Sequence, residues 1–172
     1  GMFSLALWDK KERRLTLGRD RFGEKPLYYG WLGKGNNQTF VFGSELKALR
    51  AFPNFDNPIN RDVLALYFRF SAVPAPYSIF QDIFKLEPGH VLILQNEGFN
   101  HKAIKIEPYW QLTDAVNKGA SNLIEDEIEA IEQLDSVLRE SIEQQSVADV
   151  PLGAFLSGGI DSSLITALMQ DQ

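Results

Sequence analysis

Apolar and polar positions alternate in short runs through the first third of the chain. Residues 2–8 form an apolar run, the charged stretch 9–14 interrupts it, and residues 15–20 run apolar again, which predicts an antiparallel hairpin. Residues 25–31 and 39–43 flank a loop rich in Gly and Asn and add two further strands, so the block reads as a β-meander. Ser44 followed by Glu45, Leu46, Lys47, Ala48 and Leu49 predicts a short helix with a serine cap.

The pattern then changes period. Prolines 53, 58, 74, 76 and 88 break the middle of the chain repeatedly, and residues 52–60 read as a connection. Asn60 is placed to cap a helix over 61–70 whose Val63, Leu66, Tyr67 and Phe70 share one face and are expected in the core. Residues 73–77 form an extended, proline-stiffened loop. Strands are predicted over 80–86 and 91–95 around a turn at 87–89, followed by a Glu97-Gly98 turn and a return strand ending near Tyr109 and Trp110. Residues 114–121 read as an exposed polar linker. A long amphipathic helix is predicted over 122–145, striped by Ile124, Ile128, Ile131, Leu134, Leu138 and Ile142, with Glu125, Asp126 and Glu127 complementing its dipole. It is expected to lie against a sheet whose first strand is residues 152–156, with a further helix beginning at 164–169.

Composition narrows the class. With 172 residues, 44% hydrophobic and 12% aromatic, the chain can pack one generous domain or two modest ones. Its 17 Lys+Arg against 23 Asp+Glu give a net charge of −6, which argues against a non-specific nucleic-acid surface. There is no cysteine, hence no disulfide framework, thiolate metal site or cysteine nucleophile in this sequence. No apolar run reaches membrane-spanning length, and a cytoplasmic protein is expected. His90 and His101 lack ligand partners at metal spacing and are expected to be structural or surface residues. The cluster Arg19, Asp20, Arg21 and Lys25 reads as a solvated turn with local ion pairs.

The candidate chemistry sits near the C-terminus, in Ser157-Gly158-Gly159-Ile160-Asp161-Ser162-Ser163. An apolar run, a glycine turn and a helix start aim free backbone N–H groups and a positive helix end at one spot, which suits an anion. Gly158 and Gly159 permit positive φ and close approach of a phosphate to the backbone. Ser157, Ser162 and Ser163 add hydroxyl donors, and Asp161 either caps the helix or holds Mg2+ against phosphate oxygens. No Lys follows the glycines, so this is not a Walker A loop, and the pyrophosphate half of ATP is the expected guest. The plain alternative is a Ser-Gly-Gly turn with an aspartate cap.

SGGIDSS, preceded by VPLGAFL, resembles the PP-loop of the N-type ATP pyrophosphatases, most closely that of the glutamine-hydrolysing asparagine synthetases. The strings GMFSLALWD, GRDRFGEKPLYYG and FGSELKAL resemble the later part of the class II glutamine amidotransferase domain that precedes the PP-loop domain in the same family. YFRFSAVPAPYSIF and FKLEPGHVLIL resemble the segment joining the two. The resemblance implies an α+β N-terminal-nucleophile amidotransferase sheet portion, followed by the start of an α/β parallel-sheet PP-loop domain. It implies boundaries of 1–113 for the amidotransferase part and connecting segment, 114–121 for a linker, and 122–172 for the PP-loop part, with both domains cut.

For function, the resemblance implies a carbon-nitrogen ligase that takes its amido nitrogen from glutamine and converts aspartate and ATP to asparagine, AMP and pyrophosphate. Phe155 and Leu156 are then expected beside the nucleotide. Ser157, Gly158, Gly159, Ile160, Asp161, Ser162 and Ser163 are expected on pyrophosphate, with Asp161 on its Mg2+. The family's glutaminase cysteine matches no residue here, and the loop from Arg19 with Ser44 and Glu45 is expected near the ammonia path. Expected partners are the small molecules glutamine, aspartate and ATP, with neither nucleic acid nor membrane; a homodimer stays open. Alternatives are a ligase acting on a sugar acid or β-lactam precursor, a non-catalytic nucleotide-binding remnant, and an unrelated β-rich domain.

Overall fold

The structure is a computed structural model that describes residues 1–35, 38–95 and 104–171. Among the described residues it is an α+β fold with two antiparallel sheets and five helices. The chain divides into two compact units, Met2–Ala115 and Val116–Gln172, the latter also taking Gly1.

In the N-terminal unit, β1 (Ser4–Asp9) and β2 (Arg14–Arg19) make the expected hairpin, in register from Ser4 opposite Arg19 to Asp9 opposite Arg14. The turn is closed by the Asp9 carboxylate, which accepts from the Lys11 and Glu12 amides at 2.9 Å each. β3 (Tyr28–Leu32) and β4 (Thr39–Gly43) form a second hairpin.

The meander is corrected. β2 pairs with β6 (His90–Gln95), β6 pairs with β7 (Ile104–Pro108), and the first sheet runs β1-β2-β6-β7. β3 instead pairs with β5 (Ile83–Lys85), giving a second sheet ordered β4-β3-β5. The reason is burial. Leu17, Leu92 and Leu94 of the first sheet and Tyr29 and Trp31 of the second share one core cluster with the connecting Leu27 and Leu86. Each aliphatic side chain buried this way contributes about 2 kcal/mol, which a flat four-strand ribbon cannot collect. A second cluster, Leu32, Val41, Leu49 and Ile83, closes the far side of the smaller sheet.

The strand predicted over 80–86 is a named strand only across β5, with Phe80 forming a separate bridge to Ile59, and the Glu97-Gly98 turn and His101 lie outside the described residues. Helix α1 (Leu46–Arg50) follows β4, but Glu45 stands at its N-cap without a capping side-chain bond, its carboxylate pairing with Lys47 at 2.6 Å. Ser44 does not cap it: its Oγ lies 3.5 Å from that of Ser4. Helix α2 (Arg61–Phe70) is capped by Asn60, whose side chain accepts from the Asp62 and Val63 amides, as its position predicts. Its aromatic face departs from expectation. Val63 is buried and Leu66 half-buried, but Tyr67, Phe68 and Phe70 face solvent, because no other element of this unit packs on that side among the described residues.

Residues 114–121, expected as a loop, are mostly helical: α3 spans Leu112–Ala120. Its one apolar stripe, Leu112, Ala115 and Val116, is short and exposed, and the Asp, Asn, Lys and Gly around it make the segment read as a polar loop. α4 (Glu127–Gln145) starts later than predicted because Asp126 caps it, accepting from the Glu129 amide at 2.9 Å. Among the described residues its own unit has no sheet for α4 to cover. Its C-terminal end packs on α5 (Ile160–Gln170), where Ile142 and Leu168 are buried and Arg139 bonds both Asp135 and Asp171. Ile128, Ile131 and Leu134 stay exposed. Residues 151–157 form no strand, and Leu152, Phe155 and Leu156 are exposed. A strand needs a ladder partner, and every paired strand among the described residues belongs to the N-terminal unit.

Candidate functional site

The seven-residue loop begins where the irregular segment 151–157 meets α5. Gly158 has φ +81°, a conformation glycine adopts without strain, and a Cβ there would meet nothing within 4 Å. Gly159 is the N-cap of α5, extended at φ −79° and ψ 160°, and no side chain caps the helix. Asp161 is therefore not the cap. It stands in the first turn, leaving its carboxylate for another role.

The first helical bond runs from the Ser163 amide to the Gly159 carbonyl at 3.1 Å. The amides of Ile160, Asp161 and Ser162 precede it, and they are the donors that a helix start offers to an anion. Three hydroxyls order the turn. Ser157 Oγ and Ser162 Oγ are 2.9 Å apart, while Ser162 and Ser163 donate to the Gly159 carbonyl at 3.1 and 2.8 Å. The structure thus gathers Ser157, Gly158, Gly159, Ile160, Asp161, Ser162 and Ser163 into one exposed turn, with Phe155 and Leu156 solvent-exposed just ahead of it. A cleft of about 370 Å³ between α4 and α5 is lined by Leu138, Ile142, Leu152 and Ile165, and none of the seven residues lines it.

A single carboxylate beside open amides fits a magnesium ion that takes its remaining ligands from phosphate oxygens and water. It does not fit a metal held by protein alone, and no group of three His, Cys, Asp or Glu is placed to do so among the described residues. The Nδ1 of His90 is engaged with the Pro88 carbonyl at 2.8 Å. No helix among the described residues is long and apolar enough to cross a membrane.

Sequence reasoning misjudged one cluster. Arg19 and Asp20 are not solvated but buried, at 8% and 2% exposure. Arg19 donates to the carbonyls of Lys25 at 3.0 Å, Leu86 at 2.6 Å and Gly23 at 2.5 Å, and Tyr109 donates its hydroxyl to the Arg19 carbonyl at 2.8 Å. The Asp20 carboxylate accepts from the amides of Phe22, Glu24 and Lys25. Burial alone would raise the Asp20 pKa, but the amide bonds from Lys25, Glu24, Phe3 and Phe22 outweigh it and hold the carboxyl below its ordinary value. Burial lowers the Arg19 pKa, partly offset by Asp20 and Tyr28. Arg21 and Lys25 do face solvent, as expected. Gly23, four residues after Arg19, has φ +66°, and a Cβ there would meet the guanidinium at 2.8 Å, so the clamp leaves no room for a side chain at this position.

Comparison with known proteins places both regions. A family model described as a glutamine amidotransferase domain matches residues 1–110, and one described as asparagine synthase matches residues 133–172. A relative in Methanocaldococcus jannaschii, provisionally named a glutamine-hydrolysing asparagine synthetase 2, is 36% identical over 99% of this chain and 31% of its own length. Glutamine-hydrolysing asparagine synthetase 3 of Bacillus subtilis is 33% identical over 98% of this chain and 25% of its own length. A Gibberella zeae protein named amidase chry2 is 31% identical over 98% of this chain. The chain therefore spans about a quarter to a third of these two synthetases, 25% and 31%. By the match over residues 1–110, this chain belongs to the glutamine amidotransferase domain family, and it carries an asparagine synthase match behind that domain.

Proposed function

We propose that this chain is part of a cytoplasmic, glutamine-hydrolysing asparagine synthetase, in which residues 122–172 begin a PP-loop domain. The observation that carries the reading is the uncapped start of α5 at SGGIDSS, inside the asparagine synthase match. In the whole enzyme, the amidotransferase part releases ammonia from glutamine. An oxygen of the aspartate side-chain carboxylate attacks the α-phosphate of ATP, and the bond to the β-phosphate breaks as pyrophosphate leaves. Ammonia then displaces AMP from the acyl carbon, losing a proton, to give asparagine.

The residues here have defined parts in that sequence. The amides of Ile160, Asp161 and Ser162 and the hydroxyls of Ser157, Ser162 and Ser163 hold the departing pyrophosphate, where negative charge gathers. Gly158 and Gly159 let phosphate oxygens reach the backbone, and Phe155 and Leu156 flank the nucleotide. Asp161 would hold Mg2+, which would supply charge neutralisation at the phosphates.

The test is calorimetric titration of the 172-residue chain with magnesium pyrophosphate and magnesium ATP. Saturable binding is expected, weakened about tenfold or more by Asp161→Asn and by Gly158→Ala, whose Cβ would meet no protein atom within 4 Å but would strain the backbone at φ +81°. Equal affinity in wild type and both variants, or no binding by wild type, would remove the assignment.

A further inference from the structure

A second candidate site lies in the N-terminal unit and is independent of the pyrophosphate loop. Residues 20–25 are pinned from beneath by Arg19 and Asp20 through the backbone bonds given above, so the outward-facing Arg21 and Phe22 are presented on a rigid loop. Phe22 is 68% exposed, a large apolar surface for a residue in so constrained a turn. Its ring meets Trp110 edge-on, with centroids 5.3 Å apart at 62°, and the Arg21 guanidinium carbon lies 5.8 Å from the Trp110 ring.

The facing wall is equally fixed. The Gly89 amide donates to the Asp20 carbonyl at 2.9 Å, and the amides of Tyr109 and Trp110 donate to the Gly89 carbonyl at 2.8 and 3.2 Å. Between these walls lies a cleft of about 380 Å³, lined by Arg21, Phe22, Pro88, His90, Trp110 and the first turn of α3. Most of that lining is apolar. It includes one guanidinium and one imidazole and no carboxylate among the described residues. The bond to the Pro88 carbonyl makes Nδ1 of His90 the N–H, leaving Nε2 as the other polar atom of the ring.

We propose that this cleft binds a small anion with a planar apolar body, such as an aryl phosphate or aryl carboxylate. The ring lies on the Phe22, Pro88 and Trp110 wall, and the charged group pairs with Arg21. Charge complementarity selects the anion, and the apolar wall selects the body, so neither half is sufficient alone. Rigid walls favour binding because little side-chain or loop freedom is lost on occupancy.

The test uses the full chain and phenyl phosphate, followed by two-dimensional NMR, with inorganic phosphate and phenol as the two half-ligands. Saturable shifts of the Trp110 indole and of the Arg21 and Phe22 amides are expected, with each half-ligand binding about tenfold more weakly or worse. Arg21→Gln should reduce phenyl phosphate to the affinity of phenol, and Phe22→Ala should reduce it toward that of inorganic phosphate. An unmoved Trp31 indole resonance shows that each variant keeps its fold, since Trp31 is buried in the shared core. The proposal is overturned by an absence of saturable shifts in wild type, by inorganic phosphate matching phenyl phosphate, or by an Arg21→Gln variant that binds as well as wild type. None of these outcomes bears on the pyrophosphate loop, which lies in the other unit.

Discussion

Replacing Asp20 by Asn tests the buried clamp most directly. The carboxylate accepts three backbone amides, from Phe22 at 3.2 Å, Glu24 at 3.0 Å and Lys25 at 2.9 Å. An asparagine keeps one oxygen but turns an NH2 group toward at least one of those donors, and it leaves the buried Arg19 without a neighbouring negative charge. Losing one charge-assisted bond costs about 1.5–3 kcal/mol, and an uncompensated buried charge costs about 3–5 kcal/mol. Glu24 and Lys25 are exposed, so water recovers part of this, and about 3 kcal/mol is the expected loss. For a unit of this size that lowers Tm by about 12 °C.

Urea unfolding followed by tryptophan fluorescence is a suitable assay, because Trp8, Trp31 and Trp110 all lie in the N-terminal unit. The pH dependence provides a second reading. The Asp20 pKa is lowered in the folded state, so its stabilisation is fully present above the unfolded carboxylate value of about 4 and is lost as pH falls through the lower folded value. The gap between wild type and Asp20→Asn should therefore narrow below about pH 4. A loss under about 0.5 kcal/mol at pH 7, the size of an ordinary surface change, would refute the clamp, as would a gap that does not close in acid.

Three further outcomes are expected. Gly30→Ala should prevent folding of the N-terminal unit, seen as lost tryptophan dispersion, because its Cβ would sit 2.1 Å from the Asp82 carbonyl oxygen and 2.9 Å from the Ile83 Cα. Asn60→Ala should cost about 1 kcal/mol in urea unfolding by removing the α2 cap, and Asn60→Asp should restore most of it. Burial first, and Glu87 second, push the Tyr29 pKa up to about 12. Its stabilisation is complete below the unfolded value of about 10 and fades as pH rises toward the folded one, so Tyr29→Phe should flatten the alkaline limb of a stability profile between those values.

What the sequence determined by itself was local. The charged turn at residues 9–14, the Asn60 cap and the glycine turn before α5 each depend on residues within a few positions of one another, and each formed as predicted. The candidate loop was legible for the same reason: its glycines and hydroxyls lie within seven consecutive residues. Only tertiary structure decided that β2 joins β6 and not β3, since hydrophobic alternation names the buried face of a strand but not its distant neighbour, here Val91 opposite Gly18 and Gln95 opposite Arg14. It also decided the fate of Arg19 and Asp20. Two charges in a polar stretch read as solvated, and their burial depends on carbonyls and amides supplied by Gly23, Lys25 and the distant Leu86. The exposed aromatics of α2 and the unpaired residues 151–157 follow the same rule, because an apolar pattern becomes core only where another element is placed to cover it.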